Sequence, residues 1–156
     1  MKEYLIEFFR FNQSATLRII DAVNGLPDKS EATRLISHMI TAQNRWFNRI
    51  KPEVRDDSLS WSGQVYPIGE CAELWKYQTD RWVKFLQNCS EQDLLNDIIY
   101  QSSDGGKFSS TIMDIALQLN YHAIHHRGQI MMIIRKQGIA PPASDYILLN
   151  RKTLGS

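Results

Sequence analysis

Cysteine is scarce in this sequence: Cys71 and Cys89 are the two. They stand 18 residues apart, which about five helical turns bring back to one face, so both read as core fillers. Neither sits in a metal or redox spacing, no disulfide framework follows, and the chain suits a reducing cytoplasm. Proline and glycine are sparse too, five and eight residues. No stretch is rich in Pro, Gly or Ser, and no repeat recurs, which excludes a flexible linker or a low-complexity segment. An excess of one charge is also missing, since 18 Lys and Arg face 17 Asp and Glu, for a net charge of +1. Phosphate backbones and anionic lipid surfaces select clustered positive charge, so no nucleic acid and no membrane is expected as a partner. Long apolar runs are absent as well. The opening MKEYLIEFFRFNQ is broken by Lys2, Glu3, Glu7 and Arg10, and reads as neither a signal peptide nor a membrane span.

What is present is helical periodicity. With 156 residues, 43% hydrophobic and 22% charged, the composition fits one globular domain over residues 1–156, long enough to bury a core. A first helix is predicted from Lys2 to Val23, on a seam of Leu5, Phe8, Asn12, Ala15, Ile19 and Val23, stopped by Gly25, Leu26 and Pro27. A second runs from Ser30, capped by Asp28 or Ser30, to Lys51 before Pro52. Residues 52–68 show no period and read as a surface connection, anchored by Trp61 and Tyr66. A third helix covers Gly69–Asn88, with Cys71, Trp75, Gln78, Trp82, Phe85 and Cys89 inward. Ile98 to Tyr100 and the turn Asp104-Gly105-Gly106 predict a short hairpin. A fourth helix spans Ser110–Gln137, with Gly138 as its stop, and the tail from Pro141 is expected to be extended or loosely wrapped. Four amphipathic helices of this length predict an all-α four-helix bundle, with a crossover connection and a β-hairpin before the last long helix.

The chemistry lies in the histidines. His122 and His126 are four residues apart, about 6 Å along a helix and about 400° around it, hence on one face. The stripe Ile112, Ile115, Leu119, His122, His126, Ile130 and Ile133 places both at core positions, and places His125 at the stripe's edge. Pairing of His122 with His125 remains open on spacing alone, and the stripe prefers His126. In the second helix, Leu35, His38 or Met39, Ala42, Trp46 and Ile50 form the inward seam. Three imidazoles facing one interior can hold a metal with open coordination positions, as a catalytic ion needs. The alternative is that each is a core histidine satisfied by a neighbour. There is no HExxH glutamate, because Ala123 follows His122.

Neighbouring residues carry weaker signals. Gly128 costs about 1 kcal/mol inside a helix relative to alanine, and close approach of another helix is its favoured explanation. Arg127 reads equally as a surface charge, an internal salt-bridge donor or an anion clamp. Trp46, Trp75 and Trp82 read as core. Asn12, polar on an apolar seam, serves either a ligand histidine or a local polar network.

His38 together with His122-Ala-Ile-His-His126-Arg127-Gly128-Gln129, an HxxxHRGQ pattern, strongly resembles the DinB/YfiT-like superfamily. The tail PPASDYILLNR and the order of helices extend the resemblance over nearly the whole chain. It implies that His38, His122 and His126 bind a divalent metal, zinc or nickel, with water completing the shell. Many relatives carry a further histidine where this chain has Gln118. Characterised relatives include thiol S-transferases using low-molecular-weight thiols such as bacillithiol or mycothiol, and a thiol-dependent maleylpyruvate isomerase. Many are homodimers, so a homodimer and a small-molecule substrate are expected here. The leading expectation is a metal-dependent enzyme, a thiol S-transferase, with a metal-dependent hydrolase as its nearest variant. The alternative is a non-catalytic, stress-related bundle that binds a metal or a small ligand.

Overall fold

Wherever apolar side chains recur at three- and four-residue steps, the chain is helical. A computed structural model describes residues 1–51, 64–102, 105–152 and 154. Its elements are α1 (Lys2–Asn24), α2 (Ser30–Ile50), α3 (Ile68–Asn88), β1 (Asp97–Gln101), β2 (Lys107–Thr111), α4 (Ile112–Lys136) and α5 (Tyr146–Asn150), with a 3₁₀ turn at Asp93–Leu95. The protein is therefore mostly helical with a small antiparallel sheet, in which β1 pairs with β2 from Asp97↔Thr111 to Gln101↔Lys107. Among the described residues no helix is long and apolar enough to cross a membrane. Trp61, Gly63 and Asp104 lie outside the described residues.

Element ends follow local chemistry. Thr111 Oγ1 accepts the Asp114 N–H and donates to Asp114 Oδ2 at 2.6 Å, so the two side chains cap α4 reciprocally. Gly138 takes φ +79°, a left-handed stop that only glycine adopts without strain. The start of α2 departs from expectation. Lys29 is its cap residue, and Asp28 instead accepts from the Ser30 N–H and hydroxyl. The tail also departs, because residues 146–150 form the short helix α5.

Helices α1 and α2 each pack on α3 and α4 and barely on each other. Two hydrophobic clusters result. One joins Ile19, Val23, Ile36, Met39, Trp75, Ile130 and Ile134, where α1 and α4 finish and α2 and α3 begin. The other joins Leu5, Phe9, Phe47, Trp82, Leu86, Ile115 and Leu119 at the opposite end, with Trp82 stacked on Phe9 at 5.6 Å between ring centres. The seams expected for α1 and α3 are buried, apart from a half-buried Phe85, and both cysteines are free and buried.

Between α1 and α4 the core is polar. Asn12, 1% exposed, donates from Nδ2 to Asn120 Oδ1 at 2.6 Å and accepts from Arg127 Nη1, which also reaches Thr16 Oγ1 at 3.4 Å. Asn12 thus serves a polar network, with Asn120 and Arg127 as its hydrogen-bond partners among the described residues. Removing it leaves a buried cation and a buried amide each short of a partner. Asn12→Ala is expected to cost about 2–4 kcal/mol in urea unfolding, against about 0.5 kcal/mol or less for the exposed Arg10→Ala.

Candidate metal centre

Helix α4 turns two polar edges to two neighbours. Asn120 and Arg127 face α1, while His122 and His126 face His38 on α2. The buried row of α4 runs Ile112, Ile115, Leu119, Ala123, Arg127, Ile130 and Ile134. His122 and His126 are therefore half-buried beside that row, not at core positions as the stripe predicted, and Ile133 is half-buried too. The small Ala123 and the hydrogen-bonded Arg127 take the core places. Ligands at the edge of the apolar row can face a cavity, which ligands in its centre cannot.

The ring nitrogens converge. His122 Nε2 lies 3.0 Å from His38 Nε2 and 3.0 Å from His126 Nε2, and one nitrogen of each ring falls within 4.8 Å of the others. Gln129 Oε1 accepts from His126 Nδ1 at 2.6 Å. An amide oxygen can only accept, so Nδ1 carries the proton and Nε2 turns its lone pair inward. His122 Nε2 has one proton or one lone pair with which to meet two nitrogens, and no arrangement of neutral rings makes both contacts straight hydrogen bonds. A cation at the centre resolves this. Tetrahedral zinc ligands about 2.0–2.1 Å from the ion are about 3.3 Å apart, close to the spacing found.

Burial favours the neutral form of His122 and His126. It pushes the His122 pKa down to about 4, and the rings of His126, His38 and His125 push it the same way. Burial also lowers His126, opposed by its hydrogen bond to Gln129. Neutral imidazole is the metal-binding form. His125 is exposed and stands outside the group, although its ring is 5.1 Å from that of His126.

A cavity of about 520 Å³ opens beside His38 and His122. Ile115 and Leu119 line it with aliphatic surface, Asp114 and Gln118 with polar groups. Trp46 and Tyr100 meet edge to face on its wall at 4.9 Å between ring centres. Trp46 is thus half-buried and not core, since Phe47 holds the inward place, whereas Trp75 and Trp82 are fully buried. Arg49 stacks over Trp46 and Tyr100 and donates to Gln101 O at 3.2 Å, which ties the hairpin to α2. Tyr66 is packed against the core by Ser37 and does not line this cavity. Sequence reasoning missed Gln129, whose i+3 spacing from His126 was a usable signal. It also missed Tyr100 and Asp114, which tertiary packing alone brings to the site.

Gly128 has no close helix to accommodate. Among the described residues a Cβ built there meets nothing within 4 Å, which overturns the expected close approach.

The family model for the DinB family matches residues 1–153. The chain is also similar to protein DinB of Bacillus subtilis (strain 168), at 20% identity over 162 residues, covering 94% of this chain and 93% of that protein.

The buried His122 has a consequence in protein stripped of metal. Its ordinary pKa is 6.5, and in the folded chain it is about 4. Above pH 6.5 neither the folded nor the unfolded state binds this proton, and the full contribution to stability is present. As the pH falls from 6.5 towards 4, only the unfolded state takes it up, so stability declines. The urea midpoint of chelated protein is expected to fall across this window, and to fall less in His122→Gln. Identical pH profiles for the two proteins would show that His122 is not held neutral by the fold.

Proposed function

The chain belongs to the DinB family, and from that premise we propose that it is a divalent-metal-dependent enzyme whose ion is held by His38, His122 and His126. The observation that carries this reading is the meeting of three ring nitrogens, two contacts at 3.0 Å, with His38 and His122 on the wall of a cavity of about 520 Å³. Four long helices arranged as a four-helix bundle with a crossover, folding as one domain, would hold α2 and α4 at the distance the three rings need. The packing of α1 and α2 on α3 and α4 supports that arrangement.

Bound zinc or nickel would supply Lewis acidity at its open positions, enough to favour the thiolate of a bound thiol at neutral pH. Three neutral imidazoles leave the ion's full positive charge in place. Gln129 holds His126 in the tautomer that presents Nε2. Trp46 and Tyr100 offer an apolar wall to a small-molecule substrate, and Gln118, one turn before His122, offers an amide to its polar part. A low-molecular-weight thiol S-transferase acting on a small electrophile is the reaction this arrangement suits best.

Protein purified without chelator is expected to carry about one divalent ion per chain by elemental analysis. His122→Ala and His126→Ala should lose it, His125→Ala should keep it, and Gln129→Ala should bind it about 10–100-fold more weakly. Stoichiometric metal in His126→Ala would falsify the ligand assignment. Metal binding without turnover of electrophiles by any of a panel of thiols would leave a binding protein and remove the transferase reading.

A further inference from the structure

Arg127 and Gly128 turn away from the histidines, and both are unexplained by them. Arg127 is 2% exposed. Among the described residues no carboxylate lies within ion-pair distance of it. Its guanidinium has five N–H donors. Both of its hydrogen bonds, to Asn12 and Thr16, run from Nη1, and Nε is buried with no hydrogen-bond partner among the described residues. A buried cation without a counter-charge carries a desolvation penalty that neutral acceptors only partly offset.

Arg127 lies on the wall of a second recess, of about 550 Å³, between α1, α4 and the segment entering α5. Phe11 and Tyr146 stand edge to face there, 5.0 Å between ring centres, and the Arg127 guanidinium carbon is 5.4 Å from the centre of the Phe11 ring. Phe8 and Met131 extend the apolar lining. Gly128 also lines the recess, with open space where a Cβ would be. The helix therefore bears glycine's cost of about 1 kcal/mol without gaining a close helix neighbour. One occupant accounts for both oddities, if it lies against bare helix backbone and brings a negative charge to Arg127.

We propose that this recess binds a small aromatic monocarboxylate, with its carboxylate on Arg127 Nη2 and its ring lying on the Phe11–Tyr146 pair against the bare backbone at Gly128. The volume is within the range of small-molecule sites. Asp145, exposed at the rim, disfavours a second negative charge and selects a carboxylate over a phosphate monoester. Among the described residues Ser144 donates to the Met131 sulfur, at 3.2 Å, a weak acceptor it can exchange for an oxygen. The site stands apart from the histidines and does not depend on the metal-enzyme reading.

The test is calorimetric titration of the full chain with 4-phenylbutyrate and indole-3-acetate. Saturable binding is expected, with the corresponding amides and phenyl phosphate at least about tenfold weaker. Arg127→Met should weaken binding but also removes a buried hydrogen-bond donor. Gly128→Leu is therefore the decisive variant, because it fills the recess from an exposed helix position and leaves the melting temperature no lower. It should abolish carboxylate binding and leave metal content unchanged. Amides binding as well as acids, or Gly128→Leu binding like the wild type, would overturn the proposal. So would a dimer that Gly128→Leu dissociates, combined with no carboxylate binding, which would assign the recess to a second copy of the chain.

Discussion

Three imidazole nitrogens brought to 3.0 Å contacts repel one another unless a proton or a cation lies between them. That constraint organises this molecule. A proton is a poor solution, because His122 Nε2 carries one at most and can bridge only one of its two contacts, while burial and the neighbouring rings hold the His122 pKa down to about 4 and keep the ring from taking up a second. The convergence must then be held by the scaffold, from both α2 and α4. On α2, His38 rides beside the buried Met39 and Ala42, and on α4 Leu119 and Ala123 flank His122. Helices anchored by apolar clusters on either side of the histidine level can bear a repulsive contact that a loop could not. A cation held between the rings would turn the same contact from repulsion into attraction.

The second polar layer works differently. Arg127 is also a buried charge, and burial lowers its pKa to about 10, which still leaves it a cation at neutral pH. Its acceptors are the neutral oxygens of Asn12 and Thr16, not a carboxylate. A neutral acceptor fixes the register of α1 against α4 without cancelling the charge. The stability cost is offset by the aromatic and aliphatic clusters at both ends, where Trp75, Trp82, Phe9 and Leu5 are fully buried.

How much of this was legible in the sequence depended on what each helix face meets. For α1 and α3 the inward face packs mainly against other side chains, so hydrophobic spacing located it, down to Asn12 and Gln78. For α2 and α4 one edge of the apolar row meets a cavity, and there the seam was placed one residue early: Trp46 for Phe47, and His122 and His126 for Ala123 and Arg127. A pattern of hydrophobicity gives weight to a tryptophan or an imidazole and none to a buried arginine, whose acceptor lies 115 residues away in the chain. The preference for His126 over His125 rests on the same stripe, and a displacement of one residue moves both together, so His126 stands with His38 and His122 while His125 is exposed. The hairpin was readable as a hairpin from its β-branched run and its glycines. That it walls the cavity, through Tyr100, was not readable, since only the tertiary fold brings residue 100 to residue 46.

The run His126-Arg127-Gly128-Gln129 explains why family membership is easier to read than reaction. His126 and Gln129 act together, three residues apart on one side of α4, the second fixing the tautomer of the first. Arg127 faces the other way and ties α4 to α1, and Gly128 opens onto a recess with no part in the histidine site. Four adjacent residues thus answer to three separate physical demands, and such a combination rarely arises by chance in an unrelated helix. None of the four, however, is among the residues lining the cavity at the histidines. The side chains that line it instead include Trp46, Tyr100, Asp114 and Gln118, drawn from α2, the hairpin and the first two turns of α4. A chain can therefore keep the whole motif while the shape and polarity of this cavity are decided by residues the motif does not contain.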